Sequence, residues 1–144
     1  MPTTEENKEL CRRFFEEVFN GHSLDYAEES MADDLIEHQP FPGMSPDKKG
    51  ALDMFRAMFE MSSDMKAEIV NLIASGDRVA IHSVSRGTDT GGAMGTPPTN
   101  KPYEMASIDI VRVNDEGKFA EHWGITDTMT MMGQLGLLPP PPEG

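Results

Sequence analysis

The chain has 144 residues, 38% hydrophobic and 26% charged, a balance that suits one packed domain over residues 1–144 rather than a disordered segment. Its 25 acidic residues outnumber 12 basic ones, and the resulting formal charge of −13 repels phosphate backbones and anionic lipid. Nucleic acid and membrane surfaces are excluded as partners on that ground; no apolar run approaches the ~20 residues of a membrane span, and the polar start MPTTEENKEL does not read as a secretory signal, which points to the cytoplasm.

In chain order, the first helix is expected from Thr4 to Phe19. Thr3 or Thr4 offers a cap, acids fill the first turn, and Asn20-Gly21 closes the end. Leu10, Cys11, Phe14, Phe15, Val18 and Phe19 recur at helical spacing, so Cys11, the only cysteine, reads as a small buried hydrophobe more than as a reactive thiol. His22, just past the stop, is expected in solvent. A second helix, Leu24 to Met31, leads into ADDLIEHQP, a short strand closed by His38. QPFPGMSP is a turn, after which Ser45 is the expected cap of a third helix with Pro46 at its first position and Leu52, Phe55 and Phe59 on its apolar stripe.

From Asp64 the hydrophobic period changes from 3.6 to 2. MKAEIVNLIAS, RVAIHSVSRGT and YEMASIDIVRV read as strands, the first two joined by a Gly76-Asp77 turn. The third is reached through DTGGAMGTPPTNKP, whose glycines suit a flexible lid rather than a phosphate-binding loop. Asp115-Glu116-Gly117 turns the chain into KFAEHWGIT. A last helix, Thr128 to Leu135, is ended by Gly136 and the run Pro139 to Pro142. Helices first and a strand meander afterward predict an α+β fold with an antiparallel sheet. The helices are too few to cover a long curved sheet, which leaves room for a pocket between them.

Strand alternation sorts the polar candidates. Asp109 shares a face with Met105, Ser107 and Val111, where a desolvated carboxylate suits a base; an exposed strand face or an ion pair is the alternative. His122 lies with Ala120 and Gly124 and titrates near neutral pH, whereas Trp123 faces the other way unless a bulge at Gly124 reverses it. Asp127 stands where a cap for the last helix is needed. His82 shares its face with Ala80, Val84 and Arg86. Spacings such as HxxxH, CxxC and HExxH do not occur, so no metal site is expected. Twelve methionines, Met54, Met58, Met61, Met94, Met129, Met131 and Met132 among them, suit either a cavity wall or core filling. The apolar even-numbered face of Ala106, Ile108 and Ile110 predicts a homodimer formed through the sheet.

Taken together, RRFFEEVFNGHSLD, HQPFPG, RGTDTGGAMGTPPT, IDIVRVNDEGK, EHWGITD and QLGLLP resemble the SnoaL-like polyketide cyclase family of the NTF2-like superfamily, over nearly the whole chain. The resemblance implies a cone-shaped α+β domain, a pocket for a small hydrophobic or aromatic ligand, and usually a homodimer. It also implies acid–base catalysis of an intramolecular aldol ring closure, without metal or organic cofactor. The cyclases carry their essential aspartate at the position of Gly124, so a gap is expected there. Asp127 matches a second acid of the family, His38 a histidine near the cavity, and Asp109 a pocket-facing polar position. The resulting candidates for catalysis are Asp109, His122 and Asp127. Those for ligand contact are His38, Phe41, Phe55, Phe59, His82, Arg86, Met94, Met105, Trp123 and Gly124. Two other functions compete with cyclisation: epoxide hydrolysis by Asp109 and Asp127 around Arg86, and ligand binding without catalysis after loss of the aspartate at Gly124.

Overall fold

A computed structural model describes residues 2–139 and 142. Four α-helices and five strands occupy the described residues. In chain order these are α1 (Thr4–Phe14), a π-helical segment (Phe15–Asn20), α2 (Leu24–Ser30), β1 (Met31–Glu37), α3 (Lys48–Met61), β2 (Lys66–Ser75), β3 (Arg78–Thr88), β4 (Pro102–Val113), β5 (Phe119–Thr126) and α4 (Thr128–Gln134). The strands form one curved sheet in the order β1-β5-β4-β3-β2. Helices cover one face of it, the arrangement of an NTF2-like cone.

Local chemistry explains the ends of these elements. Thr3 caps α1 by accepting the Glu6 N–H, with Glu5 and Glu6 in the first turn and Arg12 and Arg13 in the last. The helix then widens into the π segment and stops at Asn20. That side chain pairs with the backbone of Ala67 as a strand would, accepting its N–H and donating to its carbonyl. α3 begins later than expected: Asp47, not Ser45, is its cap, taking the Gly50 N–H while the Ser45 hydroxyl donates to the same carboxylate. A carboxylate accepts two donors at once, which a serine cap does less well. α4 ends at Gln134, with Gly136 at a φ of +74° that favours glycine; Pro140 and Pro141 of the expected proline stop lie outside the described residues.

The sheet departs from the expected antiparallel pattern at one edge. β2, β3, β4 and β5 pair antiparallel, but β1 runs parallel to β5, with Glu37 opposite His122. Between β1 and β5 the chain passes through α3 and three other strands, so no hairpin imposes an antiparallel pairing at this edge. Irregular register in β1, β2 and β5 adds local bend and twist.

The core lies between sheet and helices. Phe14 meets Phe19, Phe55 and Phe119 edge to face, and Val18, Val79 and Cys11 are fully enclosed. Burial pushes the Cys11 thiol up to about 12, so it stays protonated and inert. His22 is half-buried rather than solvated; it stacks on Phe59 at 4.3 Å and its Nε2 lies 2.9 Å from the Met65 carbonyl.

The loop between β3 and β4 is pinned rather than free. Asp89, fully buried, accepts from the Gly92 N–H, the Thr99 N–H and the Thr99 hydroxyl. The Thr90 and Gly91 N–H groups both donate to the Met61 carbonyl at the end of α3. Ala93 is buried with Tyr103, Met131 and Leu135 in a second small core.

Candidate active site

A cavity of about 380 Å³ opens between the sheet and the helices. Its helix side is apolar, with Phe14, Phe15, Phe55, Met54 and Met58 among the lining residues. Its floor is the inward face of β3, β4 and β5, carrying Ile81, Ser83, Ser85, Met105, Ser107, Asp109, His122 and Thr126. Phe41 and Met94 line the cavity and are also exposed, which puts them at its rim.

One hydrogen-bonded chain interrupts the apolar wall. The Glu37 carboxylate lies 2.7 Å from His122 Nδ1, and His122 Nε2 lies 2.8 Å from Asp109 Oδ1. Only the protonated ring donates from both nitrogens to two carboxylates. Burial alone would lower the His122 pKa. The hydrogen bonds and charges of Asp109 and Glu37 outweigh that and raise it to about 9, so the ring is an imidazolium at neutral pH. Glu37 is only 4% exposed and is further tied by the Gln39 N–H, whose side-chain oxygen accepts the Gly124 N–H. The second oxygen of Asp109 makes no hydrogen bond among the described residues, and Asp109 lines the cavity.

Glu37 is the residue that sequence reasoning missed. In ADDLIEHQP the histidine drew notice, yet neighbours on a strand face opposite sides. Leu35 and Glu37 point inward, and His38 is carried outside, where it stacks on Trp123 at 4.6 Å and bonds Glu121. The usable signal was alternation with buried Leu35.

Of the other candidates, Phe41, Phe55, Met94, Met105 and Gly124 line the cavity. His38, Phe59, His82, Arg86, Trp123 and Asp127 do not. His82 and Arg86 belong to the outer face of β3, because its inner positions are Ile81, Ser83 and Ser85; His82 bonds Asn71, and Arg86 pairs with Glu104 and Glu68. Trp123 lies on the outer face of β5 with the Arg78 guanidinium 4.8 Å from its ring centre. Phe59 packs on Phe55 and His22 instead. Asp127 is the exposed cap of α4; hydrogen bonds from the Thr130 hydroxyl and N–H hold its carboxyl below the usual range. The trio of Asp109, Arg86 and Asp127 is therefore not assembled: Asp109 faces inward and Arg86 outward.

Gly124 does not leave the expected gap. It stands directly across from Asp109, and a Cβ built on it would lie 2.2 Å from Asp109 Oδ1 and 2.9 Å from His122 Nε2. The space that a side chain at 124 would enter is already filled by the Asp109 carboxylate.

A curved sheet capped by helices, with a carboxylate–imidazolium–carboxylate chain inside an apolar cavity, defines a small-molecule pocket of the NTF2-like class. Residues 9–135 match the family described as SnoaL-like polyketide cyclase, and the chain belongs to that family. Among solved structures it is similar to wild-type IdmH from Streptomyces antibioticus, at 34% identity over 90% of this chain and 98% of that one, with a TM-score of 0.78. TsrD from Streptomyces laurentii shares the fold at 20% identity, covering 96% and 100% of the two chains, with a TM-score of 0.85. An LEH-like epoxide hydrolase of M. tuberculosis shares it at 16% identity over 93% and 92%, with a TM-score of 0.68. Comparison with curated proteins returned no match.

Proposed function

We propose that the protein is an acid–base enzyme of the SnoaL-like type, acting without a cofactor on a small, neutral, polyketide-like carbonyl compound, with Asp109 as the base. The observation that carries this reading is the chain Glu37–His122–Asp109 at the cavity wall. The free oxygen of Asp109 takes a proton from the carbon beside a ligand carbonyl. The enolate carbon then attacks a second carbonyl in the same molecule, forming the ring C–C bond and leaving an alkoxide. The proton held by Asp109 returns to that oxygen, so the reaction closes with no proton gained or lost. The His122 imidazolium keeps the site at one net negative charge before proton abstraction and stabilises the developing enolate. Glu37 and Gln39 are positioning residues, since they hold the ring and the β5 backbone.

Asp109 thus occupies the place that the family resemblance gives to an aspartate at Gly124, reached from the neighbouring strand. The outer sheet face, with Ile73, Ile108, Ile110 and Ile125 exposed, further supports pairing of two chains through that surface.

The reading is tested by deuterium exchange into acetonaphthone, a flat neutral aromatic ketone, followed by NMR in deuterated buffer. The wild-type protein is expected to accelerate exchange at the methyl carbon, and Asp109→Asn to slow it ~100-fold while the fold persists. An unchanged rate in Asp109→Asn would move the base elsewhere. Tight binding of the ketone with no exchange in either protein would favour a ligand-binding role.

A further inference from the structure

The charge of the cavity is not balanced within it. Glu37 and Asp109 bring two carboxylates to the wall and His122 at most one positive charge, and no lysine or arginine is among the lining residues. At least one negative charge is therefore in excess, whatever the protonation state of the ring. The excess lies toward Asp109. Glu37 has a side chain only 4% accessible and takes the Gln39 N–H as well as His122. Asp109 keeps 21% of its side chain accessible, and its second oxygen accepts no hydrogen bond among the described residues. The rest of the wall is of a kind that attracts cations: Phe14, Phe19, Phe41 and Phe55 line it, and the face of a phenyl ring is negative.

From this we infer that the cavity is also a receptor for a flat aromatic body carrying one ammonium group beside the ring, with that group held against Asp109. Any ligand that fills the cavity strips water from the Asp109 carboxylate, so ligands differ by what each offers in return. A neutral one leaves the charge facing apolar surface, and an anion adds repulsion. An ammonium supplies the missing donor as a charge-assisted hydrogen bond, is attracted to the phenyl faces, and is drawn in by the chain's net charge of −13. The cavity of about 380 Å³ has room for two fused rings, which its apolar helix side receives through Phe55 and Met58. Such a ligand has no C–H beside a carbonyl, so it takes the place of the carbon acid without reacting and blocks it. The inference goes beyond the proposed reaction, since it needs the excess charge of the cavity and not the chemistry of Asp109.

Calorimetric titration at neutral pH with naphthylmethylammonium, naphthalenemethanol and naphthoate, one skeleton in three charge states, tests the inference. The wild-type protein should bind the ammonium at least ~10-fold more tightly than the alcohol, and the alcohol more tightly than the carboxylate. Asp109→Asn keeps the shape and removes the charge, so it should bring ammonium and alcohol within about threefold of each other, with the fold checked by circular dichroism. In the wild type, an NMR contact between the ligand's methylene protons and the His122 ring should place the ammonium at the hydrogen-bonded chain, a readout that needs no variant. Equal affinities for the three ligands, a preference that survives Asp109→Asn, or no contact with the His122 ring would each overturn the inference. Exchange into acetonaphthone separates it from the proposed reaction. Exchange without the charge ordering sinks this inference alone, and charge ordering without exchange sinks only Asp109 as base.

Discussion

Asp109, Gly124 and His122 sit within one hydrogen-bonding radius of each other, so substitutions at these positions are coupled rather than additive. Gly124→Asp alone forces a second carboxylate against Asp109, and exchange activity is expected to fall despite the gain of an acid. Paired with Asp109→Ala, the same substitution has the space it needs and should restore at least ~10-fold of the activity lost in Asp109→Ala alone, measured by the same NMR assay. No restoration in the pair would mean that the two positions are not interchangeable supports for one carboxylate. His122 gives a second prediction. Its folded pKa of about 9 stands above the ordinary 6.5, so its contribution to stability is complete below pH 6.5 and is lost as pH rises through about 9. Thermal melts should show a loss on the order of 3 kcal/mol across that window, and His122→Asn should flatten it. NMR titration of the His122 ring in Asp109→Asn should find its pKa lowered, since one of its two carboxylates is gone.

At the level of elements, the pinned β3–β4 loop and the cap of α4 make separable predictions. Asp89→Ala leaves the half-buried N–H groups of Gly92 and Thr99 without their shared acceptor and should cost about 2 kcal/mol by chemical denaturation. Asp127→Ala should lower the melting temperature slightly yet leave exchange activity within about twofold, because the carboxylate meets Thr130 and not the cavity. A large activity loss would return Asp127 to the chemistry. Period-2 patterning made β2 to β5 legible, and with them the inward face of Asp109 and Ser107. The parallel edge was not legible: β1 pairs with a strand more than 80 residues away, and nothing local in ADDLIEHQP encodes that partner. Glu37 itself was within reach of strand alternation with Leu35, but its partner His122 was not. The loop misled in another way, since its glycines announced freedom while the buried Asp89 supplied the restraint.

At the scale of the molecule, the outer face of the sheet leaves Ile73, Ile108 and Ile125 each more than half exposed, in a stripe that also includes Ile110 and Trp123. Light scattering at micromolar concentration is expected to give twice the chain mass, and Ile108→Lys to shift it toward the single chain; a monomer mass in wild type would contradict pairing. The opposite face carries a different kind of consequence, one that concerns time. Glu37 and His122 are 85 positions apart, and they meet only when β1 docks against β5 at the edge of a sheet whose other strands are joined by shorter connections. Closing so long a loop costs entropy before any contact repays it, so this edge is expected to form late in refolding. The hairpins of β2 to β5 can be in place while His122 has only one of its two carboxylates. Proton-transfer competence should therefore return after most of the sheet signal in circular dichroism has recovered, making the imidazolium a marker for the last step by which the chain becomes native.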